Sequence, residues 1–113
     1  MRKYTVRIIS SAIKDIEELA DFYYELVGEE SAANFSDAII DTIENLDTLP
    51  EANSYFDKEH NIRRVLVKGY KVSVVYIVDK GIYEVIAFGA FHTSGEPSNY
   101  SQKLVQRLKE LEK

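Results

Sequence analysis

Residues 62–92 read IRRVLVKGYKVSVVYIVDKGIYEVIAFGAFH. Val, Ile, Tyr and Phe crowd three runs, the composition that strands prefer. Breaks fall at Lys68-Gly69 and at Asp79-Lys80-Gly81, where a glycine can supply the positive φ of a hairpin turn. The stretch therefore predicts a three-stranded antiparallel meander. Val72, Val74, Tyr76 and Val78 alternate with Val75 and Ile77, and Ile86 and Phe88 alternate with Tyr83, Val85 and Ala87. A sheet with one wet face alternates apolar with polar residues. This one is apolar on both faces, so both need cover.

The chain upstream supplies one cover. Tyr4–Ile9 (YTVRII) reads as a short strand, and Ser10 and Ser11 are candidate N-caps for a helix reaching about Val27. Ile13, Ile16, Leu19, Ala20, Tyr23 and Val27 form its apolar stripe, with Lys14, Asp15, Glu17, Glu18, Asp21 and Glu25 mostly off it. Gly28 is placed to end that helix in the left-handed conformation, and Glu29 and Glu30 suit the positive end of the next. The second helix is expected over about Ser31–Leu49, with Phe35, Ile39, Thr42/Ile43, Leu46 and Leu49 inward and Pro50 as its stop. So short a link makes the two an antiparallel hairpin. Residues 50–61 (PEANSYFDKEHN) have no period and read as a loop.

Downstream of Gly95-Glu96-Pro97, Asn99 followed by Gln102 suggests a capping box. Leu104, Leu108 and Leu111, with Val105 beside them, give a narrow stripe on a helix over about 99–112. This helix is expected to lie on the open sheet face or against the hairpin. The order is strand, helical hairpin, three-stranded meander, helix. That is an α+β domain with a mainly antiparallel sheet, and 113 residues make a single domain, 1–113.

Composition narrows the chemistry. The chain has no cysteine, which excludes disulfides, thiol catalysis and thiolate metal sites and agrees with a cytoplasmic location. No signal peptide is visible, and no apolar run approaches the roughly 20 residues that span a bilayer. Residues 1–59 hold 5 Lys/Arg against 14 Asp/Glu, a charge of −9, and residues 60–113 hold 9 against 5, a charge of +4, summing to −5. An acidic and a basic half suggest faces with different partners.

The pattern resembles the RelE/ParE toxin superfamily of bacterial type II toxin–antitoxin systems, over about residues 4–92 with an extension at 93–113. The resemblance is carried by V-R-I-I leading into S-A-x-x-D-I, by the acidic, tyrosine-bearing first helix, and by L-x-x-L-P at Leu46–Pro50. It continues through I-R-R-V-L-V-K-G-Y-K-V-x-V-V-Y-I-V to the apolar strand ending in Phe91-His92. The ParE branch fits the overall pattern best. The resemblance implies a toxin whose sheet is wrapped by a cognate antitoxin, here through an acidic binding segment that complements the basic half. It implies one of two targets. ParE-like members poison DNA gyrase and are not enzymes, and RelE-like members cut messenger RNA on the ribosome.

Metal-independent RNA cleavage requires a base, an acid and cations for phosphate. The available set is His92 as acid or base, Arg63, Arg64 and Lys71 as phosphate ligands, and Tyr70 or Tyr76 for stacking on a base. If the chain is a nuclease, His92 and Arg64 are its catalytic residues. Otherwise Arg63, Arg64, Tyr70 and Lys71 are candidates for target or antitoxin contact. Arg63 and Arg64 are neighbours on a strand and face opposite sides, so only one can enter a given site. Tyr76, flanked by Val75 and Ile77, reads as core. His60, in an acidic loop, reads as surface, and two histidines 32 positions apart form no metal site. No cofactor, direct DNA contact or membrane contact is expected. RelE-like nucleases are usually basic, whereas this chain is acidic and Thr93-Ser94-Gly95-Glu96 brings no positive charge after His92. The resemblance therefore favours a ParE-like toxin acting by protein contact. An mRNA endoribonuclease is the alternative, and a member that only binds a partner is the third reading.

Overall fold

The structure is a computed structural model and describes residues 3–93 and 100–111. Strand β1 is Thr5–Ile8, helix α1 Ser10–Val27 and helix α2 Glu29–Glu44, followed by 3-10 turns at Asn45–Asp47 and Pro50–Ala52. Then come strands β2 (Tyr55–Asp57), β3 (Ile62–Leu66), β4 (Val72–Asp79) and β5 (Glu84–His92), and helix α3 (Tyr100–Leu111). The sheet order is β1-β5-β4-β3-β2, with β1 parallel to β5 and the other neighbours antiparallel.

The meander forms with both faces covered, as its apolar pattern requires. Val72, Val74, Tyr76, Val78, Val85 and Ala87 pack with Ile16, Phe35, Ile39, Ile43 and Leu46 of the helical hairpin. Val75, Phe88, Phe91 and Ile62 pack with Leu104, and Leu108 and Leu111 lie against them. The leucine stripe of α3 thus covers the second sheet face, and Leu104 is completely buried. Each large aliphatic or aromatic side chain so enclosed stabilises the fold by about 1.5–3 kcal/mol.

Several local expectations are corrected. Residues 55–57 are an edge strand rather than loop, too short to show a period. Ile9, not a serine, stands at the N-cap of α1, and the Ser11 hydroxyl donates instead to the Phe88 carbonyl at 2.9 Å. Gly28 takes φ 98° but with extended ψ, so the chain turns straight into α2. Helix α2 tightens to a 3-10 turn after Glu44, leaving Leu49 exposed and left-handed instead of inward. At the β4–β5 turn the positive φ belongs to Tyr83 (52°), not Gly81. There the Asp79 carboxylate accepts the Gly81 amide and shapes the turn. Asn99, the proposed cap of α3, lies outside the described residues.

One irregularity organises the end of β5. Register runs Tyr76↔Ala87 and then Val75↔Gly89, so Phe88 is an extra residue, a β-bulge. Phe88 belongs to the α3-side core, and a side chain at Gly89 would meet Leu104 and Arg107 on that same side. Two successive residues share a face, so the alternation changes phase. Ala90 then packs with the hairpin-side core, and His92 pairs with Val72 and meets Phe22 of α1.

Candidate functional site

Tyr70, Lys71 and His92 converge at the end of the sheet where the β3–β4 turn, the last residues of β5 and the C-terminal half of α1 meet. Gly69, at φ 89°, makes the turn that carries Tyr70 back over the hairpin. The Tyr70 ring packs edge-on against Phe35 (5.2 Å) and Tyr23 (5.7 Å). Tyr23 in turn meets Phe22 (5.6 Å), whose other neighbour is His92 (6.3 Å). Thr93 ties strand to turn, its amide donating to the Lys71 carbonyl at 2.8 Å. Burial, and then the neighbouring Tyr70, push the Tyr23 phenol up from its ordinary range, so it stays neutral.

The outer surface of this end is apolar and wet. Phe22 is 51% exposed and Leu26 65%, and at i, i+4 they lie side by side on α1. Lys68 and Lys71 are exposed on the adjoining turn. Sequence reading passed over Phe22 and Leu26 because they fall outside the inward stripe of α1. The available signal was that an acidic helix carries two large apolar residues with no internal use.

The arginines lie elsewhere. Arg64 is exposed and paired with Val75, on the α3 side of the sheet, whereas His92 faces the hairpin side. Arg63 shares the hairpin side but sits at the opposite end. Its Nη1 donates to the carbonyls of Glu51 (3.0 Å) and Asn53 (2.7 Å), and its Nη2 to the Tyr55 hydroxyl (2.9 Å). The guanidinium also lies 4.0 Å from the Tyr55 ring centre. Beneath it the Tyr76 hydroxyl donates to the Pro50 carbonyl at 2.6 Å and accepts from Asn53 at 3.0 Å. Burial pushes that phenol up. Tyr76 is core, as its apolar flanks indicate. At the rim, Lys80 hydrogen-bonds to Glu51 (2.9 Å) and holds that carboxyl below its ordinary range, while Glu51 holds Lys80 above its own.

Asp57, Glu59 and His60 bring donor atoms within 4.8 Å of one another on an exposed loop. They are engaged with each other. His60 Nδ1 lies 2.9 Å from one Asp57 oxygen and its amide donates to the other at 3.2 Å, which lowers the Asp57 pKa. An open cleft of about 380 Å³ separates this loop from Gln102, Val105, Gln106 and Lys109 of α3.

Asp15 is the residue whose role the sequence concealed. It reads as one more solvated acid of α1, yet its side chain is 13% exposed and accepts from Arg107 Nη1 at 2.7 Å and Nη2 at 3.2 Å. The available signal was its place in the S-A-x-x-D-I motif.

Among the described residues no helix is long and apolar enough to cross a membrane. Comparison with curated proteins finds no match. Among solved structures, a chain of the chromosomal ParDE toxin–antitoxin system from P. aeruginosa is similar with a TM-score of 0.70 at 15% identity, over 80% of this chain and 96% of that one. The Mycobacterium tuberculosis RelBE2 toxin–antitoxin complex gives 0.58 at 16%, over 80% and 98%. A mutant of the E. coli toxin RelE in the free state gives 0.55 at 14%, over 92% and 97%. These likenesses show a shared fold. The model of the ParE toxin of type II toxin–antitoxin systems matches residues 6–90, from β1 to just short of the end of β5. The chain belongs to the ParE toxin family of type II toxin–antitoxin systems.

Proposed function

We propose that the whole chain, 1–113, is one ParE-like toxin domain of the cytoplasm that inhibits growth by binding a target protein, DNA gyrase, without catalysing a reaction of its own. A cognate antitoxin neutralises it. The observation that carries this reading is the separation of the catalytic candidates. His92 faces the hairpin side of the sheet, and Arg64, paired with Val75, falls on the α3 side by register. An acid–base residue and its phosphate ligand must address one substrate from one side, so their separation counts against this pair as a nuclease centre. Arg63 is committed to the loop at 51–55. What remains at the His92 end suits a protein contact, since it combines exposed aromatic and aliphatic anchors with flanking lysines.

In this reading Phe22, Leu26, Tyr70, Lys71 and His92 receive the antitoxin, whose binding segment is amphipathic and acidic, opposite Lys68 and Lys71. Arg64, on the other face, is left for the target. The test uses the purified chain in a gyrase supercoiling assay. Inhibition is expected, with relief on adding the product of a small neighbouring reading frame. Gyrase left fully active at micromolar excess, together with cleavage of mRNA on ribosomes, overturns it.

A further inference from the structure

The Asp15–Arg107 ion pair brings α1, α3 and the bulge of β5 together at one point. Arg107 belongs to α3, beyond the matched residues 6–90. Asp15 belongs to α1. Between them lies the bulge of β5. Arg107 Nη1 donates to the Phe88 carbonyl at 3.1 Å, and the Asp15 oxygen that receives Arg107 also accepts the Ala90 amide at 3.0 Å. The Ser11 hydroxyl supplies a second donor to the Phe88 carbonyl. These groups lie where β1 has run out: its pairing with β5 ends at Ile8↔Ala87, and Ile9 donates the last bond to Ala87. Buried backbone groups left without a strand partner must find another, and here the ion pair provides it.

Gly89 completes the arrangement. A Cβ there would come within 2.9 Å of Arg107 Nη1 and 3.0 Å of Val75, so the guanidinium occupies the space a side chain would need. The clamp therefore grips the bulge from both sides, at the carbonyl before Gly89 and at the amide after it.

The bulge sets which face each later residue of β5 occupies. Side chains alternate with a period of two, so a register change of one residue exchanges the faces. With Phe88 extra, Ala90 and His92 fall on the hairpin side. Without it they fall under α3.

We propose that Asp15 and Arg107 are positioning residues for His92: through the bulge at Phe88–Gly89, the clamp that Arg107 of α3 makes with Asp15 on one face of the sheet fixes the place of His92 on the other. The link is thermodynamic and reciprocal. Whatever breaks the Arg107–Asp15 contact at the bulge frees His92 from Phe22, and a partner that grips His92 and Phe22 tightens that contact. This deepens the proposed function, because it rests on the His92 end being the recognition surface, but the coupling is measurable without any partner.

The experiment follows the His92 ring proton resonances by NMR and the exchange rate of the Ala90 amide in Arg107→Met, Arg107→Lys and Leu108→Ala. Leu108 packs α3 on the sheet but has no part in the clamp. In Arg107→Met the His92 signals should leave the ring-current field of Phe22, and the Ala90 amide should exchange roughly tenfold faster, the value of one charge-assisted hydrogen bond. Arg107→Lys should recover much of the wild-type His92 signature, and Leu108→Ala should lower the melting temperature while leaving it in place. If Arg107→Met is too unstable to study, Asp15→Asn removes the ion pair but keeps an acceptor for Ala90, and His92 should move in the same direction. His92 signals unchanged in both clamp variants, or moved equally by Leu108→Ala, overturn the proposal. Growth inhibition is scored separately. A wild-type chain that does not inhibit growth removes the toxin reading and leaves the coupling to the spectra.

Discussion

The two ends of the sheet use the same side chains for opposite purposes. At the Arg63 end, Tyr4, Tyr55, Tyr76 and Tyr83 surround charged groups, and nearly every polar atom has a named recipient. Tyr76 holds Pro50, Arg63 holds Glu51 and Asn53, Tyr4 donates to Glu51, and Lys80 closes on Glu51. Two non-glycine residues, Leu49 and Tyr83, have positive φ in the same corner. At the His92 end the rings of Phe22, Tyr23, Phe35 and Tyr70 touch one another, and their outer members project into water. At one end the arginine spends its hydrogen bonds on its own chain, whatever its composition resembles. Exposed rings on a firmly packed base are available to a partner.

That contrast can be broken most directly at Phe22. Phe22→Asp should weaken antitoxin binding by roughly 100-fold, about 3 kcal/mol. Its urea midpoint should stay near wild type, because half of the ring is already in water. Titration calorimetry beside equilibrium unfolding checks both halves, and a large loss of stability with affinity unchanged would merge the two ends into one kind of surface. Arg63→Ala should do the reverse. Losing donors to two loop carbonyls and a hydroxyl should cost about 2 kcal/mol of unfolding free energy. Antitoxin affinity should be unchanged at a temperature where the variant is folded. The smallest effect is expected at Leu49, exposed and held at φ 52°. Leu49→Gly should gain about 0.5–1 kcal/mol by relieving left-handed strain, read as a higher melting temperature. A loss instead would show that the exposed leucine has a packing role in the Arg63 corner.

The sequence makes the fold legible where pattern is dense. The meander and the leucine stripe of α3 state their buried faces through spacing alone. The hairpin does so in its middle, while Ile13, Val27 and Leu49, read as inward, are exposed near the helix ends. Strand β2 was hidden because three residues carry no period. Its pairing with β3 also shifts register between Tyr55 and Asp57. The bulge at Phe88 was hidden because Val85-Ile86-Ala87-Phe88-Gly89-Ala90-Phe91 is apolar throughout, so a phase change leaves no trace in hydropathy. For the same reason the side taken by His92 could not be read, and with it the geometry of any site containing it. Adjacent placement of Arg63 and Arg64 correctly separates their faces, but not which one the 51–55 loop would absorb. Asp15 looked solvated because its partner, Arg107, lies 92 positions away, and local pattern cannot report a contact of that range.

The parallel pairing of β1 with β5 sets an order of events during synthesis. Thr5 lies beside Glu84 and Ile8 beside Ala87, so the first strand made waits for the last. Until the final strand has left the ribosome, β1 and the inward stripes of α1 and α2 have no complete sheet to cover. Contacts this far apart in sequence form late, and an apolar surface left open in the meantime invites association. A protein arriving during that interval meets a nascent helical hairpin whose sheet-facing side is still unoccupied.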